Sequence, residues 1–250
     1  MGSKSVNRRV LVCGASKGIG RSIAIELATR GYQVFALARS KSRLAELEPW
    51  GITAIVSDLD KHESLCQDIA AYLPFQILIN NAAGPSSGAL IDSDVSILQH
   101  AFSRHVVASH ILVQQLLPGM READFGRIVN IISTSVYEPI PNLGVSNTIR
   151  AAMAGWAKSL ARELPPKITI NNILPGFTDT DRLATLCAKR AEVLNISKEK
   201  VYESWLQQVP EGRLAQPEET AKAVAFLVSE DAAYIRGISL AVDGGRLRSI

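Results

Sequence analysis

The stretch Val10-Leu11-Val12-Cys13-Gly14-Ala15-Ser16-Lys17-Gly18-Ile19-Gly20 decides how the rest of the 250-residue chain is read. An apolar run, Val10 to Val12, ends in three glycines spaced G-x-x-x-G-x-G, and the helical pattern Ile23, Ala24, Leu27, Ala28 begins at once. Strand, glycine turn and helix N-terminus in that order offer free backbone N–H groups to a dinucleotide pyrophosphate. Gly14 permits the sharp turn. Gly18 leaves room where a side chain would strike the phosphates, and Gly20 lets the helix pack closely on the strand. Ser16, Lys17 and Ile19 complete the turn. Three glycines alone also fit a β–α turn with no ligand, so the remaining segments must discriminate.

Those segments alternate. Strands are predicted near 9–13, 32–38, 52–57, 75–80, 126–132, 167–174 and 238–242, with helices near 18–30, 40–48, 60–72, 92–120, 144–164, 181–208 and 216–229. Alternation of this kind, with right-handed crossovers, gives an α/β fold. The expected architecture is Rossmann-type and doubly wound, a mainly parallel seven-stranded sheet with helices on both faces. Continuous apolar strands such as Arg127-Ile128-Val129-Asn130-Ile131-Ile132 suit a sheet covered on both sides. No Pro/Gly/Ser linker interrupts residues 1–250, so a single domain is expected, with about 181–212 as a substrate lid.

Composition narrows the function classes. The net charge of +3 is slight and its Lys and Arg are interspersed with carboxylates, which argues against a nucleic-acid face. No apolar run reaches the ~18 residues of a membrane span. The segment Met1 to Val6 has no long apolar core of a secretory leader, and Val6 stands where an acylation signal wants Ser or Thr. Three widely spaced cysteines, Cys13, Cys66 and Cys187, fit neither a disulfide framework nor a zinc site. A cytoplasmic protein with no bound metal is expected, and Asn195-Ile196-Ser197 is then an irrelevant sequon.

Residues at the carboxyl ends of the predicted strands carry the chemistry. After the second strand, where an acidic side chain would take an NAD ribose hydroxyl, the chain reads Ala38-Arg39-Ser40. Arg39 and Lys17 offer cations to a 2′-phosphate, favouring NADP(H) over NAD(H), although both also read as solvated surface charges. Asp58, after the third strand, can accept from an adenine amino group. Asn80-Asn81-Ala82-Ala83-Gly84 follows the fourth strand, and Asn171-Asn172-Ile173-Leu174-Pro175-Gly176-Phe177-Thr178-Asp179-Thr180 covers the sixth and the turn beyond it.

Taken in order from Val10 to Gly245, these motifs, with Gly126-Arg127-Ile128-Val129-Asn130-Ile131 and Val242-Asp243-Gly244-Gly245, resemble the short-chain dehydrogenase/reductase family, in its 3-oxoacyl-carrier-protein reductase-like branch. The resemblance implies that Asp58 and Leu59 cradle adenine, that Asn81, Ala82 and Ala83 line the cofactor, and that Pro175 and Gly176 form the turn bringing Thr178 and Thr180 to the nicotinamide end. It also implies a homotetramer, with a dimer next, joined through long helices carrying Ile111, Leu112, Leu116, Met153, Trp156 and Leu160. Cys13, where Thr is usual, and an extra alanine before Gly84 are small departures.

The catalytic positions depart further. The family works with Asn, Ser and a Tyr-x-x-x-Lys pair. Ser133 matches the serine, but Ser146 stands at the tyrosine position, Arg150 at the lysine position and His105 at the asparagine position. A tyrosine of pKa ~10 can be pulled toward neutrality, whereas a serine hydroxyl is a far weaker acid. Arginine stays protonated and cannot relay a proton. Ser133 and Ser146 are left to hold a carbonyl, with Arg150 binding ribose hydroxyls and steadying an alkoxide. The proton then comes from water, from His105 or from Tyr137. A carbonyl/alcohol oxidoreductase on a small or acyl-chain substrate is the leading expectation. A nucleotide-binding regulatory subunit without turnover is its rival, and a lyase or isomerase keeping the cofactor only structurally is a third reading. The apolar lid residues Leu183, Leu186, Val193, Leu194, Val201, Trp205 and Leu206 fit either a hydrophobic or acyl-bearing ligand or an ordinary amphipathic helix pair packed on the core.

Overall fold

A computed structural model describes residues 8–249; the leader and acylation readings at Met1 to Val6 fall outside the described residues. Seven strands, β1 (Arg9–Cys13), β2 (Gln33–Ala38), β3 (Thr53–Val56), β4 (Ile77–Asn80), β5 (Gly126–Ile131), β6 (Ile168–Pro175) and β7 (Ser239–Val242), form one sheet in the order β3-β2-β1-β4-β5-β6-β7. Every pairing is parallel. The order reverses between β1 and β4, which opens the crevice where such sheets bind ligands.

Period-two alternation sorts the strand side chains between two cores. Val10 and Val12 face α1 (Gly18–Thr29), α2 (Lys41–Ala45) and α9 (Pro217–Val228), meeting Ile23, Leu27, Leu44 and Leu227. Leu11 and Cys13 face α3 (His62–Ala70), α5 (Ala108–Glu122) and α6 (Gly144–Glu163), meeting Leu65, Leu112, Leu116 and Ala157. Burial on both faces explains why the strands carry apolar runs rather than alternating polar residues.

Three predicted helices are divided. The 40–48 helix stops at Ala45, and Pro49 starts a separate 3-10 turn over Glu48–Trp50. The 92–120 helix becomes α4 (Val95–Phe102) and α5, joined by a π-helical turn at Ser103–Val107. The 181–208 helix breaks into α7 (Asp181–Leu194) and α8 (Lys198–Leu206), because Asn195 turns left-handed at φ +50° and Ser197 caps the new helix by accepting from Lys200 N–H. The sequon is therefore a helix junction.

The α7–α8 pair packs on itself. Leu183, Cys187, Val201 and Trp205 are buried together, and Phe177 stacks on Trp205 at 5.2 Å between ring centroids. Leu186 joins that cluster, while Val193 and Leu194 are exposed. This favours the packed-pair reading of the lid's apolar content over an acyl-binding surface. Leu112, Leu116 and Met153 are likewise buried within the subunit, so only Ile111, Trp156 and Leu160 of the expected intersubunit set stay partly open. No helix among the described residues is long and apolar enough to cross a membrane.

Candidate active site

The glycine turn is a tightly closed knot. Gly14 has φ +62°, and a Cβ there would sit 2.4 Å from the Asn81 carbonyl oxygen. A Cβ on Gly20 would meet the Gly14 carbonyl oxygen at 2.3 Å, so Gly20 serves turn crossing as well as helix packing. Asn81 Nδ2 donates to the carbonyls of Cys13 and Gly14, both at 3.2 Å. Its side chain thus locks the turn, and only its backbone is left to line a ligand. α1 starts after Lys17, which makes no side-chain cap, and has no acidic residue in its first turn, which leaves its N–H groups to an anion. Thr180, at the start of α7, faces Gly18, where an added Cβ would come 3.3 Å from Thr180 Cγ2. The uncapped N-terminus of α1 and the glycine turn therefore form a cradle that fits a pyrophosphate.

The flanking residues are placed as follows. Arg39 Nη1 lies 3.9 Å from Asp58 Oδ2, with the Arg39 side chain 65% exposed. Lys17 Nζ lies 3.9 Å from Asp181 Oδ2. Both cations are only loosely held. Leu59 packs partly on the core. Gly176 closes the end of β6 against Asp243, whose Cα would be 2.7 Å from an added Cβ, and Pro175 is buried. The Thr178 hydroxyl donates to the Gly176 carbonyl at 3.3 Å, so it shapes the turn. Thr180 Oγ1 accepts from Leu183 N–H and caps α7.

The tetrad positions cluster around the ends of β4 and β5. Ser133 Oγ accepts from Ser135 N–H at 3.1 Å, and Tyr137 follows that 3-10 turn half exposed. Ser146 and Arg150 lie one turn apart on α6 and share a face. Arg150 is buried, and its guanidinium donates to the carbonyls of Ile131 at 2.9 Å and Ala82 at 3.3 Å. Burial, then the nearby Arg182 charge, lowers its pKa to about 10, which still leaves it charged at neutral pH. His105, buried in the π-helical turn, places Nε2 3.2 Å from the Ala83 carbonyl, where it donates. Burial and the Arg150 charge push its pKa down to about 3. The imidazole is then neutral with its N–H engaged, an arrangement that argues against its supplying the proton.

Two features escaped the sequence. The first is a chain of buried amides across the sheet: Asn80 Nδ2 donates to Asn130 Oδ1, and Asn130 Nδ2 to Asn172 Oδ1, both at 2.8 Å. The paired strand register Asn80–Asn130–Asn172 produces it, and asparagine inside apolar strands was the available signal. The second is Arg182, on the first turn of α7, whose Nη2 donates to the Pro85 carbonyl at 2.6 Å. Lys189 on the same helix donates to the Ser87 carbonyl at 3.1 Å, so α7 is clasped to the β4–α4 loop at two points.

A switch-point crevice with a glycine cradle and a serine at the end of β5 defines the class of dinucleotide-fold reductases. The chain matches the family model described as enoyl-(acyl carrier protein) reductase over residues 14–246. It is 35% identical to the 3-oxoacyl-[acyl-carrier-protein] reductase of Pseudomonas aeruginosa, covering 96% of this chain and 97% of that protein. It is 30% identical to an NADPH-dependent reductase of Bacillus subtilis, BacG, over 97% of this chain and 99% of that one. Among solved structures, a variant of actinorhodin polyketide ketoreductase with NADPH superposes with a TM-score of 0.92 at 29% identity, covering 99% of this chain and 100% of that chain. The chain belongs to the short-chain dehydrogenase/reductase family.

Proposed function

We propose that this protein is an NADP(H)-dependent oxidoreductase interconverting a carbonyl and an alcohol, with a proton route unlike that of its relatives. The observation that carries the reading is Arg150, a buried guanidinium beside Ser146 at the strand ends, with the glycine cradle intact. The names of the similar proteins, NADPH-dependent or with NADPH bound, support the coenzyme. Gly14, Ser16, Gly18, Ile19 and Gly20 would hold the pyrophosphate, Arg39 and Lys17 the 2′-phosphate, and Asp58 the adenine. The backbone of Asn81, Ala82 and Ala83, with Thr180, would flank the nicotinamide half. Bound there, NADPH supplies a hydride to the carbonyl carbon.

Ser133 and Ser146 donate hydrogen bonds to the substrate oxygen, and the fixed charge of Arg150 stabilises the negative charge that develops on it. His105 positions the Ala83 carbonyl and the strand end behind it. Solvent or the half-exposed Tyr137 delivers the proton, because neither serine nor arginine is acidic enough and His105 is committed as a neutral donor. Absence of the tyrosine acid leaves the enzyme slower by about 10²–10⁴ than a tyrosine-bearing relative. A homotetramer in a reducing, cytoplasmic setting belongs to the same proposal; the three cysteines are unpaired.

NADPH oxidation over a panel of ketones and 3-oxoacyl thioesters tests the reading. Turnover with at least one class is expected, and the double change Ser146→Tyr with Arg150→Lys should raise generic ketone reduction about tenfold or more. Tight NADPH binding with no oxidation of any substrate would instead favour a nucleotide-binding subunit.

A further inference from the structure

Arg150 and Arg182 come from different helices yet converge. A Cβ placed on Gly84 would lie 3.6 Å from Arg150 Nη2, 3.5 Å from Arg182 Nη2 and 4.0 Å from Ser146 Oγ. Among the described residues no carboxylate forms an ion pair with either arginine. Two guanidiniums so placed repel each other, and Arg150 is only 8% exposed. A buried cation beside a like charge is costly unless an anion is brought to it. Burial and then the Arg182 charge lower the Arg150 pKa, and a bound anion would offset that cost by direct attraction.

We propose that Arg182, with Arg150, binds the carboxylate of an oxo-acid substrate whose carbonyl oxygen rests on Ser146. The carbonyl assignment rests on the reductase reading above; the anion site does not. The planar fork of arginine suits a carboxylate, which it can meet with two parallel N–H groups. Ser146 Oγ and both guanidiniums reach within 4.0 Å of one point beside Gly84, which suits a carbonyl and a carboxylate held close together, as in 2-oxo and 3-oxo acids. The phosphates of the coenzyme are a second source of the same negative charge. Geometry favours the substrate, because the Arg182 guanidinium is turned to Gly84 and the Pro85 carbonyl, whereas Thr180 faces the glycine turn.

The test is calorimetric titration of the intact protein, saturated with NADP⁺, using 2-oxohexanoate and 3-oxohexanoate, each against its methyl ester. Binding is read without turnover. At least one acid should bind about tenfold to a hundredfold tighter than its ester, Arg182→Gln should abolish that preference, and Arg182→Lys should recover part of it. The NADP⁺ affinity of both variants should match the parent, which also verifies their folding. Equal binding of acid and ester by the parent, or an Arg182→Gln variant that keeps the preference, overturns the proposal. So does a loss of NADP⁺ affinity in Arg182→Gln that Arg182→Lys restores, since that makes the coenzyme phosphates the ligand. NADPH oxidation is followed separately. Arg182-dependent acid binding without oxidation supports the anion site while sinking the reductase reading.

Discussion

At single residues, burial of polar groups near the crevice has measurable consequences. His105 has its ordinary pKa of 6.5 in the unfolded chain and about 3 in the fold. Between those values the unfolded state binds a proton that the native state refuses, so stability is present above the unfolded value and is lost as pH falls toward the folded one. The loss is about 1.4 kcal/mol per pH unit. Urea unfolding of His105→Asn and its parent at neutral pH and at about pH 4.5 should show the variant losing about 2–3 kcal/mol less over that interval. Equal losses would mean that His105 titrates normally. Cys13 makes a second case. Burial raises its thiol to about 12, so it stays protonated, and it lies beside Asn80 on the same face of adjacent strands. Asn80 Oδ1 is buried with no hydrogen-bond partner. A hydroxyl at position 13 can donate to that oxygen where the weak thiol donor does not. Cys13→Thr should therefore raise the unfolding free energy by about 1 kcal/mol in denaturant titration.

At the scale of elements, the sheet and its helices were legible because they rest on local periodicities. Apolar runs bounded by turn residues marked the seven strands to within one or two residues at most ends. The helix interruptions were less legible. Ser103–Val107 carries no proline or glycine, so nothing in the local pattern announced the π-helical turn in which His105 is buried. The amide chain across β4, β5 and β6 needed strand register, which no single segment encodes. It can be tested as a unit. Asn130→Ala removes the middle member and strands the Asn80 amide donor and the Asn172 amide acceptor in the core. With about 1–3 kcal/mol for each stranded group, the variant should lose about 2–6 kcal/mol in chemical denaturation. A loss below about 1 kcal/mol would show that water or rearranged amides replace the missing bonds.

For the whole molecule, the unread part of the site has one physical cause: contacts between segments far apart in the chain. Arg182 meets Pro85 across 97 residues, and nothing in the local pattern at either position announces it. The cofactor cradle was legible because strand, turn and helix are contiguous, whereas the substrate end is assembled from the β4–α4 loop, α6 and α7. Assembly beyond the chain follows the same logic. The subunit already uses Leu112, Leu116 and Met153 for its own core, which leaves Ile111, Trp156 and Leu160 on the outer faces of α5 and α6. Trp156 Nε1 donates to His110 Nδ1 at 3.4 Å and so bridges these two helices at their surface. If copies pair through this face, Trp156 sits where large aromatic side chains contribute most to an interface. Sedimentation velocity of the parent should give a mass four times that of the chain, and Trp156→Glu should yield dimers or monomers by placing a charge in an apolar seam. A parent that sediments as a monomer, or a Trp156→Glu tetramer, would remove the α5–α6 face from any account of assembly.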